Sequence, residues 1–495
     1  MSEFAYNFIH SLRMREKAYF KRYAQLQSNS AKKNYLRLYE ALEQQEYYDK
    51  NQLLKRFEGE PLSRHFSSEA NYLAEQLLNS LTNFHFETSN SRKLIKLILQ
   101  IDLLTERGFR KKAQKVLNKA KKMADKFEEF SIKLKLIQLE EELLFKHGIL
   151  HFTQQLQVLQ EERSQITQKI QNLNELRLLR EQIRELQFSA GFVRQPEQFP
   201  HLFANPILDE EQHALSLNAK ENWHYIQCLR HYLLLDFRAA KMANHTYFLF
   251  FKQHASFFKQ KKLLPVLSNL LYFSALDKDQ ELFAVALSEL QQLETEKEVD
   301  QHYVKYIKYA RILELYYQTN DSTNTRVILT EAQPFTKNHH HELGGTERDY
   351  LVRLIIRAHI QAQQWEEAQD WINFWYKVKE ANHAINILKL FSLIIYCELD
   401  YRHLLASERI SSTKLLQKLK QYGPLEKQFL QFFKKWNKIP TAELGDQLIL
   451  LEELIADLED LEVQNIQQMP LVFFNFKAWA TQKRDRIEQQ LHRKS

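Results

Sequence analysis

The chain has 495 residues, of which 44% are hydrophobic and 26% charged, with only 8 glycines and 9 prolines. Glycine and proline punctuate tight turns, so their scarcity excludes sandwiches, barrels, collagen-like chains and flexible linkers; the hydrophobic content excludes a disordered chain. A net charge of +7 from 69 basic and 62 acidic residues is bland over this length, so local charge clusters matter more than the sum.

The first 20 residues, MSEFAYNFIHSLRMREKAYF, lack the apolar segment and cleavage site of a secretory signal. The longest apolar run, Leu390 to Cys397, is far short of the roughly 20 residues a membrane helix needs. Cys228 and Cys397 offer neither a disulfide framework nor metal spacing. A cytoplasmic protein with no membrane contact is expected.

Residues 1–90 read as a helical unit. Tyr35, Leu38, Tyr39 and Leu42 recur on one helical face, as do Tyr72, Leu73, Leu77, Leu78, Leu81 and Phe84, with Ser67 or Ser68 as N-cap. Helices near 34–46, 50–57 and 67–86 have the lengths and order of a helix-turn-helix, broken at Gly59-Glu60-Pro61. The third presents Glu69 and Glu75 but no base, which suits a phosphate-lined groove poorly.

Residues 91–150 read as a helical pair around a basic helix. Arg107, Arg110, Lys111, Lys112, Lys115, Lys119, Lys121, Lys122 and Lys126 meet a single acid, Asp125, while Ala113, Leu117, Ala120 and Ala124 share the inward face. Residues 151–190 read as a long coiled-coil-like antiparallel arm. Phe152, Leu156, Leu159, Ile166, Ile170 and Leu173 keep a seam, and the phase slips before Leu176, Leu179, Ile183 and Leu186, as at a stutter or a bend between two helices. Residues 191–211, with Gly191, Pro196, Pro200 and Pro206, read as a linker.

Helical pairs resume over 212–420. Short polar turns lead into helices marked by Ala240, Ala284, Val327 and Ala368, at steps of 44, 43 and 41 residues, near a period of 43. Trp365, Ala368, Ile372 and Trp375 place an aromatic, an alanine, a bulky residue and a second aromatic at offsets of −3, 0, +4 and +7. Ala113, Leu117 and Ala120 keep the pattern, with Arg110 in place of the first aromatic. This spacing resembles the second helix of a degenerate tetratricopeptide repeat, over 91–150 and 212–420, although that family's period is about 34. The resemblance implies an all-α fold, an α-solenoid of helical hairpins that binds peptides or proteins. Residues 421–495 then read as capping helices, including an acidic one over 441–465 with Glu452, Glu453, Asp457, Glu459 and Asp460.

Two clusters are candidate partner-binding surfaces. The basic helix offers Arg107, Arg110, Lys111, Lys115, Lys119 and Lys122 to an acidic protein or nucleic acid. The aromatic run from Tyr247 to Phe251 is apolar all round, so core packing leaves Tyr247 and Phe251 as candidate anchors. The basic and acidic helices together predict salt-sensitive head-to-tail self-association.

No phosphate loop, nucleophile elbow or H-E-x-x-H sequence is present, and so no catalytic residue or cofactor is expected. His339-His340-His341-Glu342 lies in a loop and lacks the i, i+4 spacing of a helical zinc site, so it reads as a solvated segment with no metal. The expected function is a non-catalytic scaffold that binds a protein or peptide. The alternative is a nucleic-acid-associated regulator using the N-terminal unit and the helix over 107–126.

Overall fold

The computed structural model describes residues 2–26, 34–86, 89–145, 152–190, 193, 196–293, 298–378, 385–418, 423–463 and 473–494. The fold is all-α, without a strand among the described residues. Two compact units divide it, Met1–Gln171 and Asn172–Ser495.

The first unit begins with α1 (Ser2–Ser11), α2 (Met14–Leu26), α3 (Asn34–Glu43), α4 (Lys50–Arg56), α5 (Pro61–Arg64) and α6 (Phe66–His85). Helices α1, α2 and α3 pack on α6 around Phe20, Leu38, Tyr39, Leu42, Leu73 and Leu77. Asp49 caps α4 by accepting from the N–H groups of Asn51 and Gln52. The start of α6 differs from expectation. Phe66 is buried there and the helix starts two or three residues earlier, so His65 occupies the N-cap position and Ser67 and Ser68 lie exposed inside the helix. Tyr72 and Leu78, expected on the inward stripe, are 45% and 48% exposed.

Next come α7 (Asn90–Glu106), α8 (Arg110–Lys126) and α9 (Phe130–Phe145), packed in series. Ala113, Leu117, Ala120 and Ala124 are all buried, which lets α8 approach α7 and α9 closely. Helix α10 (Phe152–Ala190) is a single helix of 39 residues. The phase slip after Leu173 is therefore neither a bend between two helices nor the turn of an antiparallel arm. A straight helix of 3.6 residues per turn drifts off a heptad seam, and a continuous helix absorbs the slip by moving its buried stripe. Gly191, at the start of the expected linker, lies outside the described residues; 196–213 forms one short α-helix, α11 (Pro200–Phe203), between single 3-10 turns.

The second unit continues with α12 (Leu217–Leu233), α13 (Phe237–Gln253), α14 (Leu263–Leu276), α15 (Gln280–Gln291), α16 (Glu298–Thr319), α17 (Ser322–His339), α18 (Gly345–Gln361), α19 (Trp365–Val378), α20 (Ile385–Glu398), α21 (Arg402–Lys418), α22 (Pro424–Trp436) and α23 (Leu444–Val463). The last helix is α24 (Phe476–Lys494). Consecutive helices pack together, and α14, α16, α18, α20 and α22 also pack one on the next. Those helices are consequently covered on both sides: α18 buries every residue from Leu351 to Ile360. Their partners are amphipathic, burying one stripe such as Ala368, Trp371, Ile372 and Trp375.

Five tight turns share one geometry. Leu235, Lys278, Asn320, Gln363 and Asp400 all hold φ between 54° and 61°. In each, the following N–H bonds back across the turn, as Asp236 to the His231 carbonyl (3.0 Å) and Asp279 to the Ser274 carbonyl (2.8 Å). This is the six-to-one bond of a Schellman helix end. Asp236, Asp279 and Asp321 then cap the next helix by accepting from the N–H groups of Ala239, Leu282 and Asn324. One residue ends a helix and its neighbour starts another, which is how a chain with 8 glycines turns so often. This geometry corrects the markers chosen from sequence: Ala240 and Ala368 are buried four residues past the cap, but Phe283 and Thr325 hold that place in the other two pairs, while Ala284 and Val327 are exposed.

The C-terminal segment returns along the buried helices. The Phe473 carbonyl accepts from Arg357 (2.9 Å), Phe474 packs edge-on to Phe391, and Phe476 packs edge-on to Phe429. Buried Glu398 collects Trp479, Lys483 and Arg486 from α24.

Candidate functional site

A cleft of about 470 Å³ opens in the second unit along the helices that pack one on the next. Helix α12 supplies Tyr225 and Tyr232, α14 Tyr272, α16 Tyr303, Tyr306 and Arg311, and α18 Tyr350 and Arg353. These residues sit at helical spacing (Tyr225/Tyr232, Tyr350/Arg353), so one face of each helix points at the cleft. Tyrosine suits such a lining because its ring packs against a neighbouring helix while its hydroxyl can still hydrogen-bond.

Arg311 is held by Ser268, whose Oγ accepts from Nη2 at 2.9 Å, and lies 4.9 Å from the Tyr272 ring. Arg353 is 7% exposed. Its Nε donates to the Asp349 carbonyl at 3.2 Å, and its guanidinium lies 5.2 Å from the Tyr350 ring and 5.5 Å from that of Phe473. Among the described residues neither guanidinium is in an ion pair, and Glu347 is the one carboxylate in the lining. Burial pulls Arg353 below the usual arginine range. Burial also raises the phenols, taking Tyr232 up to about 12, so they stay neutral; that of Tyr350 donates to Glu314 at 3.2 Å. Cys228 lines the same cleft, and burial pushes its thiol up, which leaves it protonated and inert.

Beside it lies a second cleft of about 680 Å³ that shares Tyr225, Pro265 and Asn269. Its charges are mostly matched. Arg180 and Lys262 both reach Glu221 (3.6 and 3.0 Å), and Arg184 reaches Glu181 (2.8 Å). Arg177 adds a further cation.

The residues named from sequence divide between packing and surface. Arg107, which caps the end of α7, and Lys111, Lys115, Lys119 and Lys122 on α8 are exposed and make no ion pair among the described residues, whereas Arg110 is half-buried and partnered. Lys121, read as another outward cation, is bound by Glu140 and Glu162 (2.5 and 2.6 Å). Phe251 is buried against Phe258 and Tyr247, and so belongs to the core. Tyr247 is buried as well, stacked on His224 at 5.5 Å, with one edge on the second cleft. Trp365 is half-buried against the core, while Ala368, Ile372 and Trp375 are fully inside it. On the acidic helix α23, Lys435 and Lys477 pair with Glu453 and Glu459.

Sequence reasoning missed Arg311, Arg353 and the tyrosines around them. Each is one of several polar residues in its helix, and only packing shows which of those faces an opening. The one local signal was Tyr272, in a helix, α14, that is otherwise almost wholly apolar. Among the described residues no helix is long and apolar enough to cross a membrane. No protein family, curated protein or solved structure matches this chain.

Proposed function

We propose that this chain is a non-catalytic binding protein, an α-solenoid of helical pairs whose tyrosine- and arginine-lined cleft holds an acidic peptide segment of a protein partner. The observation that carries this reading is Arg353, a buried guanidinium at the cleft with no carboxylate at ion-pair distance among the described residues, Asp349 acting on it only through longer-range attraction. Burying an arginine unpaired costs several kcal/mol, and a ligand carboxylate repays that cost with bidentate, charge-assisted bonds. The surrounding phenols supply hydrogen bonds and flat apolar area for the residues flanking that acid. A segment of this chain is compatible with part of that reading: the Phe473 ring lies against Arg353 and Arg357, as an aromatic residue of a ligand would. The recurring turns at 235, 278, 320, 363 and 400 support a solenoid of tetratricopeptide-like pairs. Two free cysteines accord with residence in the reducing cytoplasm.

The test is a display selection of random peptides of about a dozen residues on the full chain, counter-selected on Arg353→Gln. Enriched peptides carry an Asp or Glu beside an aromatic residue, and lose at least about tenfold in affinity against Arg353→Gln, or 1.4 kcal/mol. Enrichment without an acid, or equal binding to the variant, refutes the proposal.

One observation favours a second surface. The exposed cations of α8 form an unpaired basic face suited to an acidic protein or nucleic acid. Binding of a single-stranded oligonucleotide there weakens steeply with salt. No retention at low salt removes this second reading and leaves the cleft untouched.

A further inference from the structure

We propose that His302, His339 and Glu342 form a zinc-binding site that ties the start of α16 to the end of α17. Residues 40 apart meet here: the Nδ1 of His302 contacts one oxygen of Glu342, and the Nδ1 of His339 lies 2.9 Å from the other. The two imidazole rings stand 4.1 Å apart, centre to centre. All three donor atoms fall within 4.8 Å of one another.

Each ligand is placed by the fold. His302 lies near the start of α16 and is 6% exposed, held by Phe335 at 6.0 Å. His339 is the last residue of α17, also against Phe335. Glu342 follows in the turn before α18, where its backbone N–H bonds to the His339 carbonyl. Two helices and a short turn therefore fix three donors around one point.

The donor set selects the ion. Two imidazoles and one carboxylate suit a borderline cation such as Zn²⁺, whereas Mg²⁺ and Ca²⁺ take oxygen ligands. Zinc bonds to His nitrogen and carboxylate oxygen are about 2.0–2.2 Å long, so tetrahedral donors stand roughly 3.3 Å apart. Side-chain rotation of about an ångström brings the donors to that value, opening the close His–Glu contacts and drawing in the wider spacings of up to 4.8 Å. Three protein ligands leave the fourth position to water, as in other open zinc sites. His341 is a poor fourth ligand: it is 66% exposed, and its Nε2 lies 3.6 Å from Glu342. The ion offsets the Glu342 charge in a cluster of which His302 is buried and the other two half-buried, and it cross-links two helices, so binding is linked to the stability of the second unit.

The full chain, without a histidine tag, is titrated with ZnCl₂ by calorimetry and with CoCl₂ by visible absorption. The expected result is one ion per chain, intense Co²⁺ bands of tetrahedral type, and a melting temperature raised by about 5 °C at a hundredfold excess over Kd. Glu342→Gln and His302→Gln keep size and hydrogen bonding, and each loses at least about tenfold in affinity. His341→Ala changes affinity by less than about twofold. Metal-free melting of each variant beside the parent separates lost ligation from lost folding; if His302→Gln does not fold, Glu342→Gln decides the matter. No stoichiometric binding overturns the proposal. So does binding that survives Glu342→Gln and disappears in His341→Ala, which places the ion on the exposed histidines instead.

Discussion

Removing Glu314 should unfold the second unit far more readily than removing Glu314 and Arg357 together. The two side chains are 2% and 1% exposed, joined by two bonds of 3.1 and 3.3 Å. Arg357 also donates to the Phe473 carbonyl and lies 3.8 Å from the Tyr317 ring. Burial would depress its pKa, yet the facing carboxylate carries it above the usual arginine range, so it stays charged. Glu314→Leu leaves that charge in the interior with one carbonyl for compensation. Breaking a buried pair from one side costs about 3–5 kcal/mol. In Glu314→Leu/Arg357→Met both charges are gone and apolar volume is kept. The Tyr350 hydroxyl and Gln318 lose their partner in both variants, so the comparison turns on the Phe473 carbonyl, newly unpaired in the double at about 1–3 kcal/mol. The double variant should therefore be more stable than the single by about 2 kcal/mol. Urea unfolding followed by tryptophan fluorescence reads this directly, because all 6 tryptophans lie between residues 223 and 479, within the second unit. A single variant as stable as the parent, or a double variant no better than the single, refutes the reasoning.

Three further outcomes follow from the same packing. Ala368→Leu should cost about 1–3 kcal/mol by overpacking a site that is fully buried; parent-like melting would show that α19 has room there. Gln363→Gly should gain about 0.5–1 kcal/mol, since this exposed residue holds φ 57°, where a side chain is strained, and a lower urea midpoint would contradict that. His224 is buried beside Tyr247 and Phe250, which lowers its pKa to about 4, so the unfolded chain takes up the proton first. Its contribution is complete above the unfolded value near 6.5 and is lost as pH falls towards 4, by up to about 3 kcal/mol. The stability difference between parent and His224→Gln, measured from pH 7 to pH 4, should shrink by that amount; a constant difference excludes it.

The sequence by itself determined the helices. Scarce glycine and proline, and apolar residues at helical spacing, leave no competing local structure, and the stripe on α8 reads directly as Ala113, Leu117, Ala120 and Ala124. The exposed cations of α8 were equally legible, since a face with no apolar residue has only solvent to meet. Register was less so: Val327 looks apolar but lies outward, because Asp321 rather than hydrophobicity sets where α17 begins. The clefts and the histidine cluster were decided by tertiary structure alone. Helices α16 and α18 carry charged residues on several faces, and α18 buries Arg353 and Arg357 along with its apolar residues, so periodicity assigns no inward or outward face to Arg311 or Arg353; stacking against α14 and α20 does. His302 meets Glu342 only because α16 and α17 pair antiparallel, which brings the start of one beside the end of the other. Local pattern reports what a residue does to its own helix, whereas a site is made of residues whose helices meet far apart in sequence.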